Sequence, residues 1–305
     1  MSIELSVITV NYNGLKDTCA LIDTIPFDEY SLEVIVVDNA SREDEASIIA
    51  ERYPQVKVIR SQRNLGFAGG NNLGIKAARG KYLFFVNNDT VFYRGERREE
   101  RGEKREERGE SMLHTLIDRL RSSDKIGMVC PKIRFAWDDA PIQFAGYTPL
   151  SAVTMRNRSI GFGEKDHGQY DQPHPTPYAH GAAMMVKREV IEKAGLMPED
   201  YFLYYEELDW SMMIRRAGYE IWYDPSFTIY HKESQTTGQH SPLRTYYITR
   251  NRFLFTKRNV PSPEKFLTYI YLLLAGFKDI LKHLFLGDGK SAGAVVKGIV
   301  HFIKL

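Results

Sequence analysis

Short apolar segments rich in β-branched residues recur through the first third of the chain. The segments are Leu5 to Val10, Leu32 to Val37, Val56 to Ile59 and Tyr82 to Val86, with helix-like stretches between them. Uninterrupted apolar runs of this length are typical of parallel strands that are covered on both faces. Their alternation with helical stretches predicts βαβ units, and hence an α/β fold with an open, mostly parallel sheet flanked by helices.

Polar side chains follow three of the predicted strands. They are Asn11-Tyr12-Asn13, Asp38-Asn39 and Asn87-Asn88-Asp89. In open α/β sheets, ligands bind beyond the carboxyl ends of the strands. Tyr12 offers a ring for a nucleobase, Asp38 an acceptor for a base or ribose hydrogen bond, and Asp89 an oxygen ligand for a divalent cation. His231, after a later β-rich stretch, is a candidate second metal ligand. Taken singly, Tyr12 is also explained as a lid on the core, and Asp38 and Asp89 as caps. A lone histidine such as His231 is usually a surface or core residue.

Three acids lie together within an aromatic segment that runs from Tyr201 to Trp210. They are Glu206, Glu207 and Asp209, and they come just before a helix that we predict from Ser211 to Ala217. Carboxylates favour the positive N-terminal end of a helix, which explains one or two of the three. The aromatic wall beside them suits a sugar, and a carboxylate within that wall can take the proton from an acceptor hydroxyl.

A glycine-rich segment, Arg63 to Asn72, introduces a helix that we predict to end near Arg79. Backbone N–H groups at a helix N-terminus can face a phosphate. The segment lacks the GxGxxG spacing and does not follow the first strand, which disfavours a dinucleotide-binding fold. A tight turn, with close helix packing at Gly69 and Gly70, explains the glycines equally well.

Composition restricts the class of protein. Hydrophobic residues make up 43% and charged residues 26% of the chain, and the formal net charge of +2 carries no general nucleic-acid signal. The two cysteines, Cys19 and Cys130, are too few for a disulfide framework or a thiolate metal site, which favours a reducing compartment. Because the N-terminus shows no secretory signal, we expect a cytoplasmic protein.

Residues 95–110 repeat a charged heptad, first as GERREER and then as GEKREER. The repeat has no apolar residue and cannot contribute to a core. Its basic residues have acidic neighbours and no interleaved aromatic residues, which argues against nucleic-acid binding. We interpret residues 94–111 as a solvated insertion in a domain that spans residues 1–240.

The C-terminal residues 241–305 are predicted to form a helical segment. Its apolar run from Leu267 to Phe277 has eleven residues, fewer than the ~20 needed to cross a bilayer. Beyond Pro263 six lysines accompany three acids, so this tail is net +3 and the remainder of the chain is net −1. A basic amphipathic tail favours peripheral contact with an anionic membrane surface. The alternative is packing on the domain or on a second subunit of a homodimer.

An ordered series of motifs over roughly residues 3–255 resembles glycosyltransferase family 2. The series is Val-Ile-Thr-Val-Asn-Tyr-Asn, Val-Val-Asp-Asn-Ala-Ser, Arg-Asn-Leu-Gly-Phe-Ala-Gly-Gly-Asn-Asn, Asn-Asn-Asp-Thr, His-Gly-Ala-Ala-Met, Glu-Glu-Leu-Asp-Trp and Tyr-His-Lys. The likeness is to the rhamnosyltransferase-like branch that builds bacterial surface polysaccharides. It implies a GT-A fold, Mg²⁺ or Mn²⁺, and inverting sugar transfer from a dTDP-, UDP- or GDP-sugar to a saccharide or lipid-linked acceptor.

The same resemblance implies roles for individual residues. Glu207 would be the catalytic base, with Glu206 and Asp209 beside it in a supporting role, and Asp89 and His231 would bind the metal. Arg250 and Asn251 would close over the diphosphate. The residues that would contact the nucleotide sugar are Val10, Tyr12, Asp38, Arg63, Asn71, Asn88, Gly181, Ala182 and Arg250.

The chain departs from the family's pattern in two places. Asn87-Asn88-Asp89 has one acid where many relatives have two, and Glu207 stands where an aspartate base is usual. The first departure keeps open a non-catalytic nucleotide-sugar-binding homologue. A sugar nucleotidylyltransferase is the other alternative, but Asn11-Tyr-Asn-Gly-Leu-Lys16 does not match the glycine-rich, basic loop that such an enzyme needs after its first strand.

Overall fold

A computed structural model describes residues 3–27, 31–92, 113–137, 139–151, 153–233 and 241–305 of the protein. The predicted insertion at residues 94–111 lies outside these described residues. Within them, a ten-stranded sheet carries the core, and three helices follow it at the C-terminus.

The N-terminal half of the sheet is parallel. Its strands are β1 (Leu5–Asn11), β2 (Leu32–Asp38), β3 (Lys57–Arg60) and β4 (Tyr82–Val86), in the spatial order β3-β2-β1-β4. The helices between them are α1 (Leu15–Ile22), α2 (Glu45–Arg52) and α3 (Gly66–Ala77). All of β4 and most of β1 and β2 are buried, as expected of strands covered on both faces. The four predicted strands are thus confirmed to within one residue at each end.

The second half of the sheet is mixed. Its strands are β5 (Thr90–Val91), β6 (Ile126–Phe135), β7 (Ile142–Phe144), β8 (His174–Pro175), β9 (Ala183–Lys187) and β10 (Glu220–His231). They extend the order to β3-β2-β1-β4-β9-β6-β10-β5, with β7 beside β6 and β8 beside β10. β9 runs antiparallel to β4 and β6, whereas β6 and β10 are parallel. The start of β9 therefore lies beside the end of β4, where the polar motif begins.

Helix α6 (Glu206–Arg216) begins before the predicted start at Ser211. Glu206, Glu207 and Asp209 therefore belong to its first turn, at the positive end of the helix, rather than to a loop before it. Helices α4 (Leu113–Arg121) and α5 (Arg188–Ala194) complete the sheet domain.

The glycines of the glycine-rich segment lie inside helix α3 rather than ahead of it, because that helix begins at Gly66. A Cβ atom on Gly70 would lie 2.8 Å from Val10 Cγ1, and one on Gly74 would lie 2.4 Å from Ile8 Cγ2. These glycines let α3 approach β1 closely, so the packing explanation is the one that the structure supports.

The C-terminal segment is helical, as predicted. Its helices are α7 (Pro242–Asn259), α8 (Glu264–Phe285) and α9 (Gly289–Ile303). Gly298 of α9 packs on α7, where a Cβ atom would lie 3.0 Å from the carbonyl oxygen of Tyr246. In the described part of the chain, no helix has the length and hydropathy required to cross a membrane.

Candidate active site

Hydrogen bonds connect the polar residues at the ends of β1, β2 and β4. Asn88 Nδ2 donates to Thr18 Oγ1 at 3.0 Å, and Thr18 Oγ1 donates to Asn11 Oδ1 at 2.6 Å. Asn11 Nδ2 in turn donates to Asp38 Oδ1 at 2.9 Å, because the register of β1 and β2 pairs these two residues. The strand ends predicted to form one edge therefore form one buried polar network.

The residues that support this network carried no clear signal in the sequence. Glu45, at the start of α2, accepts from Asn11 Nδ2 at 2.7 Å and from the backbone N–H of Gly14 at 3.1 Å. Gly14 leaves room for Asn88, since a Cβ atom there would lie 2.5 Å from Asn88 Nδ2. Ser41 N–H donates to Asp38 Oδ2 at 3.3 Å. Such residues are recognised only when their tertiary neighbours are known.

Asp89 and His231 meet because β5 pairs with the end of β10. Thr90 lies opposite His231 in that pairing, and Lys232 N–H donates to the Asp89 carbonyl oxygen at 2.9 Å. As a result, His231 Nε2 lies 3.1 Å from Asp89 Oδ1, and both side chains are almost fully buried. The other ring nitrogen, Nδ1, lies 2.8 Å from Gln143 Oε1. We assign a proton to Nδ1, because an amide oxygen only accepts hydrogen bonds.

The Asp89–His231 pair fits a divalent cation only with ligands from a substrate. Among the described residues, no group of three or more His, Cys, Asp or Glu side chains could hold a metal ion. Mg²⁺ is commonly held by one or two carboxylates together with substrate phosphates, so two protein ligands are enough when a diphosphate supplies the rest. Gln143 fixes the His231 imidazole so that Nε2 faces Asp89. Residues that bind the second nitrogen of a metal-ligating histidine usually have this orienting role.

Residues 180–182 connect this strand edge to Glu207. The backbone N–H of Asn87 donates to the carbonyl oxygen of Ala182 at 3.0 Å, as β4 and β9 begin to pair. A Cβ atom on Gly181 would lie 3.7 Å from Glu207 Cγ and 3.9 Å from Glu207 Cδ. Gly181 therefore leaves space directly in front of the Glu207 side chain. A substituent there would enter that space.

Glu207 has the electrostatic character of a general base. Burial raises the pKa of its carboxyl group to about 7, against the favourable effect of backbone N–H groups at the start of α6. Proton transfer is most efficient when the pKa of the base lies near the working pH. At neutral pH a large fraction of Glu207 is therefore ionised and still basic enough to take a proton.

The adjacent Glu206 has a different environment. Its side chain is 2% exposed, and its Oε2 atom has no hydrogen-bond partner among the described residues. Burial, followed by the charge of Glu207, raises the pKa of Glu206 well above its usual value. Glu206 therefore favours the protonated form, and Glu207 is the member of the pair that holds the negative charge.

The segment before α6 has a strained backbone. Phe202, Tyr204 and Tyr205 have φ angles of 65°, 69° and 78°, in the left-handed region that non-glycine residues avoid. Each such residue costs on the order of 1–3 kcal/mol and persists only when its surroundings fix it. The segment is held from one side by Gly66, at φ 73°, where a Cβ atom would lie 2.1 Å from the Phe202 carbonyl oxygen.

Helix α7 holds the strained segment from the other side. Asn251 Nδ2 donates to the carbonyl oxygens of Tyr201, Leu203 and Tyr204 at 3.1, 2.7 and 2.8 Å. Arg250 Nη2 donates to the carbonyl oxygens of Asp200 and Tyr201 at 2.7 and 2.6 Å. In this structure the side chains of Arg250 and Asn251 therefore hold backbone carbonyl groups of the segment.

The Asp209 side chain contacts residues outside α6. It is fully buried and accepts hydrogen bonds from Tyr201 Oη at 3.1 Å and from Asn259 Nδ2 at 2.8 Å. Arg258 Nε lies 2.6 Å from Asp209 Oδ2, the oxygen that also accepts from Tyr201. These partners connect α6 to α7, so the contacts of Asp209 support the site instead of lining it.

The remaining residues that were predicted to contact the nucleotide sugar differ in their exposure to solvent. Tyr12 is 37% exposed at the end of β1, and Val10, just before it, packs against Gly70. Arg63 is exposed in the loop after β3. Asn71, by contrast, is buried in α3, and its side chain donates to the Phe67 carbonyl oxygen at 3.0 Å. The side chains of Tyr12 and Arg63 are therefore accessible from solvent, whereas the side chain of Asn71 is bound to its own helix.

Comparison with protein families identifies the parallel half of the sheet. Residues 6–99 match the model of the family described as Glycosyl transferase family 2. These residues belong to a family 2 glycosyltransferase domain. The match spans β1 to β4 and the Asn87-Asn88-Asp89 motif, and thus most of the strand-end network.

Two relatives of this glycosyltransferase align over most of both chains. The low-salt glycan biosynthesis hexosyltransferase Agl10 of Haloferax volcanii is 28% identical over 256 residues, which cover 82% of this chain and 75% of Agl10. The dTDP-rhamnosyl transferase RfbF of Shigella flexneri is 26% identical over 274 residues, which cover 85% of this chain and 82% of RfbF.

Solved structures agree on the fold. GalNAc-T7, crystallised with UDP, GalNAc and Mn²⁺, superposes with a TM-score of 0.59 and 16% identity, and the match covers 88% of this chain and 54% of that one. The mannosyltransferase PcManGT of Pyrobaculum calidifontis, in complex with GDP-Man and Mn²⁺, gives a TM-score of 0.57 and 15% identity over 99% and 88% of the two chains. The glycosyltransferase therefore has the GT-A fold that its sequence predicts.

Proposed function

We propose that this glycosyltransferase transfers a sugar, with inversion, from a nucleoside-diphosphate sugar to a hydroxyl group of its acceptor. One observation carries the proposal. Gly181 and Ala182 connect Glu207, a carboxyl group with a pKa of about 7, to the strand end that bears Asp89 and His231. A direct displacement requires both a base and a site that neutralises the charge of the leaving group.

The reaction is a single displacement. Glu207 takes the proton from the acceptor hydroxyl while the acceptor oxygen forms a bond to the anomeric carbon. The bond from that carbon to the diphosphate oxygen breaks, its electron pair leaves with the nucleoside diphosphate, and the configuration inverts. A divalent cation, Mg²⁺ or Mn²⁺, held by Asp89 and His231 would supply neutralisation of the charge on the leaving diphosphate.

The other site residues bind the donor. In our proposal Tyr12 stacks on the base, and Asp38 accepts a hydrogen bond from the base or the ribose. Gly181 and Ala182 border the sugar, where the absence of a larger side chain keeps the space open. Asn88 fixes the edge near the metal pair through Thr18, while Glu206 and Asp209 support Glu207 from the protein side.

The names of the relatives support the class of substrates. Agl10 is named for glycan biosynthesis and RfbF for dTDP-rhamnose, while the structural neighbours bind UDP or GDP-Man with Mn²⁺. We propose a dTDP-, UDP- or GDP-sugar as the donor and a saccharide or lipid-linked saccharide of a cell-surface polysaccharide as the acceptor. We further propose a cytoplasmic site of transfer, which agrees with two buried free cysteines, Cys19 and Cys130.

We also propose a division of the chain into two parts. We assign residues 1–240 to the glycosyltransferase domain and residues 241–305 to an appended helical segment. Arg250 and Asn251 belong to the appended segment and hold the backbone before Glu207. The helical segment therefore supports the site, and its removal is expected to abolish transfer.

The donor can be identified by thermal shift with a panel of nucleotide sugars and Mn²⁺. A ligand present at ~100 times its Kd adds ~2.7 kcal/mol of apparent stability, so the correct donor should raise Tm well above its rivals. Sugar transfer and release of the nucleoside diphosphate are then measured with that donor. Donor binding without transfer or slow donor hydrolysis would instead favour a non-catalytic nucleotide-sugar-binding protein. The single acid of Asn87-Asn88-Asp89 is the feature that favours this alternative.

A further inference from the structure

Helix α8 presents an apolar face to solvent along its whole length. The exposed residues run from Phe266 through Ile270, Leu274, Phe277 and Leu281 to Phe285. They recur at intervals of three and four residues and occupy about a third of the helix circumference. Phe285 is 91% exposed, and Phe266 and Leu274 are about two-thirds exposed. Scattered apolar residues are ordinary on a protein surface, but a continuous stripe of this length marks an interaction surface.

The stripe lies on the face of α8 that points away from the protein. Thr268, Leu272 and Gly276 are the buried residues of this helix, and the helical period puts them on the opposite side. Gly276 packs on α9, where a Cβ atom would lie 3.0 Å from Ile299 Cδ1. An ordinary surface helix turns its apolar stripe towards its own core. In α8 the apolar stripe faces solvent instead.

Helix α9 adds a smaller apolar face with lysines beside it. Val296, Val300 and Ile303 are between 44% and 73% exposed, and Lys297 and Lys304 lie next to them on the helix surface. On α8, Lys278 and Lys282 flank one side of the stripe and are exposed. Within the described chain, none of these four lysines has an ion-pair partner within 4.0 Å. The apolar faces are therefore bordered by available positive charge.

We propose that α8 and α9 dock this protein on the surface of an anionic lipid bilayer, with the α8 stripe inserted at the level of the headgroups. The net charge of +3 beyond Pro263 complements an anionic surface. A second copy of the chain is a poorer occupant, because a symmetric contact through the same face would bring like charges together. Docking does not require sugar transfer, so the two proposals can fail separately.

Docking would also orient the candidate active site. Phe302 of α9 stacks on Phe253 of α7, with ring centroids 5.2 Å apart, and α7 carries the Asn251 side chain that holds the backbone before Glu207. Helix α9, which would contact lipid, thus packs on α7, and α7 holds the strained segment before Glu207. If the proposed transfer is correct, a lipid-linked acceptor meets the enzyme at this surface.

Vesicle flotation of the full chain tests the proposal. Vesicles of phosphatidylcholine alone are compared with vesicles that also contain phosphatidylglycerol, at low and high salt. The test variant carries Leu274→Gln, Phe277→Gln and Leu281→Gln, and the control variant carries Ile48→Gln, Phe162→Gln and Leu243→Gln, which replace apolar residues exposed elsewhere. The charge variant carries Lys278→Gln, Lys282→Gln and Lys297→Gln.

We expect the wild-type chain and the control variant to float with the anionic vesicles, and more weakly at high salt. The test variant should bind at least roughly 100-fold more weakly, and the charge variant roughly fivefold more weakly for each lysine removed. No flotation of the wild-type chain, or equal flotation of all variants, would overturn the proposal. So would a wild-type dimer in sedimentation velocity that the test variant converts to monomer without a change in flotation. If the test variant misfolds in a thermal melt, the charge variant alone decides.

Discussion

His231 Nε2 lies 3.1 Å from Asp89 Oδ1 although the two residues are far apart in the sequence. The antiparallel pairing of β5 with β10 brings them together. The short strand β5 follows Asp89 directly, so the position of the carboxylate depends on a two-residue pairing at the edge of the sheet. A metal site built in this way has few protein ligands and should depend strongly on each of them.

Removal of the metal should stop transfer. Asp89→Asn removes the only charge that the pair offers to a cation, and we expect a loss of transfer of at least roughly 100-fold together with a weaker response to added Mn²⁺. The measurement is the transfer rate against Mn²⁺ or Mg²⁺ concentration. Asp17→Asn, which breaks a neighbouring half-exposed pair with Lys232, is the control and should retain activity. Full wild-type activity in excess EDTA would reject the metal assignment.

The rate of transfer should depend on pH through Glu207. The base works only when it is deprotonated, and burial raises its pKa to about 7. The rate of the chemical step should therefore rise with pH up to about 7 and level off above it. Glu207 is coupled to Glu206, so the midpoint is a property of the pair. A rate that is flat from pH 5 to 8 would contradict this assignment.

Loss of the Glu207 carboxyl should stabilise the protein at alkaline pH. Its pKa is higher in the folded than in the unfolded state, so the folded protein binds the proton more tightly. The corresponding stability is present at low pH and is lost as pH rises from about 4.5 to about 7. Above that range Glu207→Gln should raise the free energy of unfolding by on the order of 1–3 kcal/mol. Urea unfolding of both proteins across this range measures the effect.

Asn251 should behave as a positioning residue. Asn251→Ala removes three donated hydrogen bonds and leaves buried carbonyl groups of the strained segment unsatisfied, which should cost about 2–3 kcal/mol of stability. Because the segment leads into Glu207, kcat should fall more than the donor KM rises. Lys257→Ala, on the same helix but exposed, is the control. A fall in stability without a change in kcat would leave Asn251 a purely structural role.

Alanine at Gly66 and at Gly163 separates the effect of the Phe202 contact from the effect of backbone strain. Gly66 and Gly163 have φ angles of 73° and 79°, so alanine is strained at both. At Gly66 the new Cβ atom would also lie 2.1 Å from the Phe202 carbonyl oxygen, whereas at Gly163 it meets nothing within 4 Å. Gly163→Ala should cost about 1 kcal/mol, and Gly66→Ala should cost more and lower the transfer rate. Equal effects would show that the Phe202 contact does not matter.

The sequence predicts the parallel half of the sheet well because its strands are continuous apolar runs. It also predicts which residues gather at the strand ends, since the carboxyl ends of parallel strands share one edge. The supports of that edge, Thr18, Gly14 and Glu45, depend on distances that no local pattern encodes. Helix α6 begins earlier than its sequence predicts. Its first turn follows Tyr204 and Tyr205, which have left-handed backbone angles although neither is a glycine or another typical turn residue.

The contacts that Arg250 and Asn251 make within the protein could not be predicted from the sequence for a related reason. A polar motif on a helix does not reveal which partner its side chains face, and here the partners are backbone carbonyls of the strained segment. The partners of Asp209 were equally invisible in the sequence, because α7 supplies both Asn259 and Arg258. In each case the partner belongs to an element that is distant in the sequence.

Single replacement of the Glu206 and Glu207 carboxyl groups by amides shows which of the two residues is the base. Donor binding by calorimetry and the rate of sugar transfer are measured for Glu207→Gln and Glu206→Gln. We expect Glu207→Gln to bind the donor normally and to transfer ~10²–10⁴ times more slowly. Glu206→Gln should retain most of the activity, because Glu206 already favours its protonated form. Near-normal transfer by Glu207→Gln would contradict the account, and its loss in Glu206→Gln alone would move the role of the base to Glu206.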